Sequence, residues 1–265
     1  MNQIIQRTWI VLLVIAVMFG CGVHRLKQAQ DSYNQAVQIE AQLSFEETEP
    51  TADPLEGASQ ALRNYRIALS LTDEALEKHA ENLKKDHLYG TALMLKALCQ
   101  WRVAALDEEA DQDKIREIIE DIDTRVKEEN ITLGTRDKVL LRALPGLREH
   151  ALGLHQSDLK KARRLFESAL STLEESLISV NPPEDHPVRA YIRLAQMRTL
   201  RAWRWIEFPD RPKDLTERKN WNDEWNAKYV VYRNKLVSLM QANRGLRARV
   251  ENMDIDFGYE PENQE

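Results

Sequence analysis

DLKKARRLFESALSTLEESLISVNPPEDHPVRAYIRLAQMRTLRAWRWIEF, residues 158–208, is the stretch from which the fold can be read. Leu159, Ala162, Leu165/Phe166, Ala169, Leu173 and Leu177 recur at three- and four-residue steps, which lines them along one side of a helix. Asn181-Pro182-Pro183 stops that helix, because proline lacks the amide hydrogen a helix interior needs. From Asp185 a second helix carries Val188, Tyr191/Ile192, Ala195, Leu200, Trp203 and Ile206 on one face, until Pro209 and Pro212 break the chain. Two amphipathic helices joined by a short turn must cover each other's apolar faces, so the segment predicts an antiparallel helical hairpin.

The same spacing runs through the rest of the body. Residues from about Leu55 to Lys84 place Ala58, Ala61, Leu62, Tyr65, Ala68, Leu69, Leu76, Ala80 and Leu83 on one face. Asp86 is a candidate cap for the next helix, His87 to Leu106, whose core side holds Leu88, Ala92, Leu95, Leu98/Cys99 and Val103. Asp111 to Glu129 has a thinner stripe of Ile115, Ile118/Ile119, Ile122 and Val126, and Thr135 can cap a helix reaching His155, with Pro145-Gly146 expected to kink or divide it. A last helix is expected from Thr216 to Val250, along Trp221, Trp225, Tyr229, Tyr232, Leu236, Leu239/Met240, Asn243 and Leu246, followed by a frayed acidic tail.

Two of these hairpins are alike. Ala68-Leu69-Ser70 recurs as Ala169-Leu170-Ser171, and Tyr89, Leu98, Trp101 and Arg102 recur as Tyr191, Leu200, Trp203 and Arg204. Chance similarity between alanine- and leucine-rich helices is the competing explanation. As a true repeat, the unit sets small residues on one helix opposite a large aromatic on the next. The arrangement resembles tetratricopeptide-repeat proteins: Ala162, Phe166 and Ala169 follow the A-x3-F-x2-A spacing of that family's second helix, although its W-x2-L-G-x2-Y half is not found. The expected fold class is all-α, stacked antiparallel hairpins forming a solenoid or curved bundle. The resemblance implies a concave face that binds peptides or partner proteins.

The amino terminus differs in kind. TWIVLLVIAVMFG runs uncharged from Thr8 to Gly20, between Arg7 and the basic residues that start at His24. That is shorter than a membrane-spanning helix and fits the apolar core of an export signal. Met18-Phe19-Gly20-Cys21 resembles the lipobox of bacterial lipoproteins. The resemblance implies cleavage before Cys21 and acylation of its sulfur, so that the bilayer is a partner through Cys21. It also implies an envelope location facing the periplasm, at the outer membrane because Gly22 rather than Asp follows Cys21. An uncleaved anchor or a plain signal peptide is the alternative. The expected divisions are a signal peptide at 1–20; lipidated cysteine, short helix and acidic tether at 21–54; helical domain at 55–250; and flexible tail at 251–265. SFEETEPTADP, Ser44 to Pro54, with two prolines and four carboxylates, is the tether.

The formal charge of −6 argues against a nucleic-acid partner. No HExxH, phosphate loop, GxSxG or CxxC pattern is present, so no catalytic residue, cofactor or metal site is expected, and Cys99 reads as a small buried hydrophobe. Arg198, Arg201, Arg204 and Trp205 form the most unusual patch. They either grip an acidic partner segment or lipid headgroup, or pair with local carboxylates while Trp205 packs under Trp221 or Trp225. The leading expectation is a lipid-anchored, non-catalytic envelope scaffold or accessory subunit with a protein partner. Alternatives are a ligand-binding or transporter-associated protein, which needs an apolar pocket; a cell-wall enzyme, which needs a buried catalytic Glu; and dimerisation through the aromatic last helix.

Overall fold

A computed structural model describes residues 22–40, 54–107, 113–242 and 244–257. Among them there are helices and no strand. In chain order these are α1 (22–40), α2 (Pro54–Lys78), α3 (Ala80–Lys85), α4 (Tyr89–Leu106), α5 (Asp113–Glu128), α6 (Thr135–Leu154), α7 (Leu159–Val180), α8 (Pro187–Glu207), a 3-10 turn (Phe208–Asp210), α9 (Leu215–Asn234), α10 (Val237–Ala242) and α11 (Arg244–Phe257). The 1–20 segment, Cys21 and most of the acidic tether lie outside the described residues.

The helices stack as paired layers. α2 and α4 run antiparallel, Lys96 reaching Asp73 at 2.7 Å and Arg66 meeting Asp107 near the opposite end. α7 and α8 do the same through Arg193–Glu174 and Arg163–Glu207. α4, α6 and α8 form a row of like direction, joined where the Trp101 ring of α4 meets His150 of α6, and where His150 meets Thr199 of α8. Ala68 and Ala169 are both fully buried, and Trp101 and Trp203 fill the matching places on α4 and α8. Stacked helix pairs of this kind make a curved helical-repeat bundle.

The closest packing is between α6 and α7, and two glycines allow it. A Cβ on Gly146 would lie 3.0 Å from the main-chain oxygen of Ala169, and one on Gly153 would lie 2.8 Å from the Phe166 ring. Pro145-Gly146 therefore does not divide the helix, which is continuous from Thr135 to Leu154. The pair is a packing feature: Pro145 is exposed, and Gly146 faces α7.

Local signals placed some ends and not others. Asp158 caps α7, accepting from the amides of Lys160 and Lys161 at 2.9 and 3.2 Å. Asp86 does not cap α4; it closes α3, and His87 turns the chain with a left-handed φ of 57°. Gly134 rather than Thr135 is the residue that precedes α6, and α8 is capped by His186, its Nδ1 accepting from the Val188 amide.

α1 belongs to the body: Leu26, Ala29, Tyr33 and Ala36 are buried on one face, and Gly22 packs on His79 so closely that a Cβ would sit 2.8 Å from it. The single long last helix is three helices, and the segment read as frayed beyond Val250 is helical to Phe257. α11 folds back on α9, where Phe257 stacks on Tyr229 at 4.3 Å and Asp254 accepts from Tyr229 at 2.7 Å and pairs with Arg233. Equal periodicity on two helices that face each other is indistinguishable, in sequence, from one long stripe.

The α6–α7 seam generates a test. Gly146→Val places branched carbon against a main-chain carbonyl, and overpacking of that kind costs about 1–3 kcal/mol. A urea midpoint falling accordingly is expected. Gly134→Ser, at a position where an added Cβ would meet nothing within 4 Å, should leave the midpoint unchanged or slightly raise it through capping.

Candidate functional site

The four residues singled out on the second half of α8 do not form one surface. Arg198 is half-buried and turned toward the interior between α4 and α8, where its charge bears on Tyr65, Arg102, His150 and Tyr191. Arg204 lies over Trp221 at 5.2 Å and Phe257 at 5.6 Å, and donates to Asn222. Arg201 is half-buried. Trp205 is 54% exposed, and its ring is nearly parallel to Phe208 at 6.2 Å.

From Trp205 a file of aromatic rings runs inward. Phe208 meets Trp221 at 6.2 Å, Trp221 meets Trp225 at 6.0 Å, and Trp225 meets the buried Trp203 at 5.5 Å, each pair edge-on. Cations lie along it: Arg211 over Phe208 at 3.5 Å, Arg204 over Trp221, and Lys228 over Trp225 at 4.5 Å. Such rings hold cations by their negative faces and hold one another in edge contacts. Trp203 Nε1 donates to Glu207, which also pairs with Arg163. The result is a rigid corner at the α8–α9 turn with one large aromatic exposed. Trp205 joins this file through its stacking on Phe208, which in turn meets Trp221.

A second polar assembly lies inside the bundle. Glu40, at the end of α1, pairs with Arg102 of α4 and accepts from the Tyr65 hydroxyl of α2 at 2.7 Å. The Tyr33 hydroxyl on α1 meets that of Tyr191 on α8 at 3.2 Å. Arg102 is only 3% exposed, stacked over Trp101 at 4.6 Å. Burial, followed by the neighbouring Arg198 charge, lowers the Arg102 pKa to about 9, while the paired Glu40 carboxylate favours the charged form. Burial raises the hydroxyl pKa values of Tyr33, Tyr65 and Tyr191, so the three stay neutral. Sequence reasoning missed this cluster because tyrosine and arginine at core positions look like ordinary helix residues; the unusual sign was the match of Arg102 with Arg204 in the repeat.

Acidity and burial differ among the carboxylates and the thiol of the described residues. Among the described residues, Glu74 and Glu174 have acidity shifted downward, Glu74 by its hydrogen bond from Lys78. Glu174 is held at about 2 by hydrogen bonds from Arg193 and then Gln196, the opposite of a poised general acid. Cys99 is fully buried, and burial raises its thiol pKa. Among the described residues no group of three His, Cys, Asp or Glu side chains is placed to hold a metal ion. No described helix is long and apolar enough to cross a membrane.

His150 gives a pH test. It is buried between the rings of Trp101 and Phe166, and burial, followed by the charges of Arg102, Arg198 and His155, lowers its pKa from 6.5 to about 3. The unfolded chain therefore binds a proton that the folded chain refuses between pH 6.5 and 3, and stability falls as pH falls through that window. His150→Phe should flatten the acid limb, reducing its slope by up to about 1.4 kcal/mol per pH unit. Urea midpoints measured from pH 7 to 4 check it; parallel limbs in the two proteins would refute it.

No family model matches the chain, no curated protein is detectably similar to it, and no solved structure matches it.

Proposed function

We propose that this protein is a lipid-anchored protein of the bacterial envelope, held to the bilayer through acylated Cys21, and that it acts without catalysis as a scaffold or accessory subunit. The reading of the anchor rests on the uncharged run ending in Met18-Phe19-Gly20-Cys21. The observation that carries the partner role is the α8–α9 corner, where Trp205 is exposed on a ring system that is otherwise packed and clamped by cations. A rigid exposed tryptophan loses little entropy when a partner covers it, and tryptophan and arginine are the residues in which interface energy concentrates. A protein partner at this corner fits better than one against α4 and α8, where Glu40 and Tyr33 of α1 already meet Arg102 and Tyr191.

Two experiments test the two halves separately. Metabolic labelling with a radioactive fatty acid should mark the wild-type chain and not Cys21→Ser; equal labelling, or none in either, removes the anchor. Crosslinking in intact envelopes should trap a partner with the wild-type protein, and Trp205→Ala should reduce its yield at least tenfold while changing stability by no more than about 1 kcal/mol. An undiminished yield removes the corner from the interface.

A further inference from the structure

Between α5, α6 and the end of α7 lies a groove of about 670 Å³, within the range of small-molecule sites. Its walls are Ile119 and Val126 of α5, Ile131 and Leu133 of the following loop, Leu141 of α6 and Val180 of α7. α5 has a narrow apolar stripe, so it covers the α4 and α6 surface incompletely and leaves this trough open. Its charges are one-sided. Lys138 and Arg142, one turn apart on the same side of α6, stand exposed on the lining, and neither is hydrogen-bonded or ion-paired to another described residue. The one carboxylate on the lining, Asp123, is occupied by Lys127.

The start of α6 adds to the positive side. Thr135, its first residue, lines the groove, and Gly134 before it offers no side-chain cap to the free amides. Asp137 in that first turn points elsewhere, buried and accepting from Thr91. A trough with apolar walls and two unpaired cations at its edge is complementary to a molecule with one apolar chain and an anionic head. Arg142 can grip a carboxylate with two parallel N–H bonds, with Lys138 beside it as a point charge.

We propose that this groove binds a long-chain carboxylate, its chain against Ile119, Val126, Leu141 and Val180 and its head between Lys138 and Arg142. This goes beyond the scaffold role and does not depend on acylation of Cys21. The test uses the full chain in lipid nanodiscs and a twelve-carbon carboxylate bearing a photoreactive group at mid-chain, with crosslinked positions mapped by mass spectrometry. We expect saturable labelling on α5 and α6, around Ile119, Val126 and Leu141. Unlabelled dodecanoate should compete at least tenfold better than dodecanol, and competition from octanoate upward should tighten by up to roughly fourfold per methylene. Lys138→Gln with Arg142→Gln, both on the exposed side of α6, should weaken labelling about tenfold while leaving the helical circular dichroism unchanged. Labelling that falls on other helices or only on nanodisc lipid overturns the proposal. So does equal competition by the alcohol, or a double variant that labels like the wild type.

Discussion

The pairing of Glu40 with Arg102 is the constraint on which the arrangement of the bundle turns. A guanidinium 3% exposed has lost nearly all of its water, and its neighbour Arg198 adds repulsion rather than relief. Only a carboxylate delivered into the interior can compensate it. That carboxylate comes from the last turn of α1, so the first helix has to lie where Tyr65, Arg102 and Tyr191 converge. A buried pair of this kind adds little net stability compared with apolar residues, but removing one partner leaves a charge stranded. The penalty for a wrong placement of α1 is therefore larger than the gain from the right one, which fixes register more than it fixes stability.

With α1 in place, the remaining helices follow from size matching. Small residues, Ala61, Ala68 and Ala75 on α2 and Ala162 and Ala169 on α7, let neighbouring helices approach, and Trp101, Trp203 and Phe166 fill the space beside the next turn. Gly146 and Gly153 repeat the device at the α6–α7 seam with backbone instead of methyl groups. Two apolar clusters result, one spanning α1 to the start of α8, the other joining α7 and α8 to α9 and α11. His150 sits where they meet, its ring between Trp101 of the first and Phe166 of the second.

Local periodicity made the helices and hairpins legible, because burial in a helix leaves a three- and four-residue trace whatever the partner. The start of α7 at Asp158 was legible for the same reason, and the side chain there caps the helix within its own turn. What escaped was every feature set by a distant contact. Arg198 looked like a neighbour of Arg201 and Arg204 on one helical side, yet α8 packs so that the Arg198 charge bears on the Arg102 cluster while Arg204 lies over the rings of Trp221 and Phe257. Asp254 looked like solvated tail because nothing near it in sequence reveals Arg233 and Tyr229. α1 looked like the front of a tether because the acidic, proline-containing segment behind it hides the fact that its apolar face is used.

The place of α1 also bears on how such a body meets other molecules. In a stack of helical pairs, the row α4, α6, α8 offers a groove to an incoming helix, and a binding partner would have to match its apolar and polar features. Here Tyr33 and Glu40 already match them, from within the chain. Intramolecular occupancy works at an effective concentration that a free peptide does not reach, so an outside helix competes at a disadvantage unless α1 is first withdrawn. Withdrawal would expose Arg102 without its carboxylate, which makes the vacated groove a poor resting state. The proposed contacts with other molecules accordingly lie away from α1: the aromatic corner after α8, and the trough that α5 leaves uncovered.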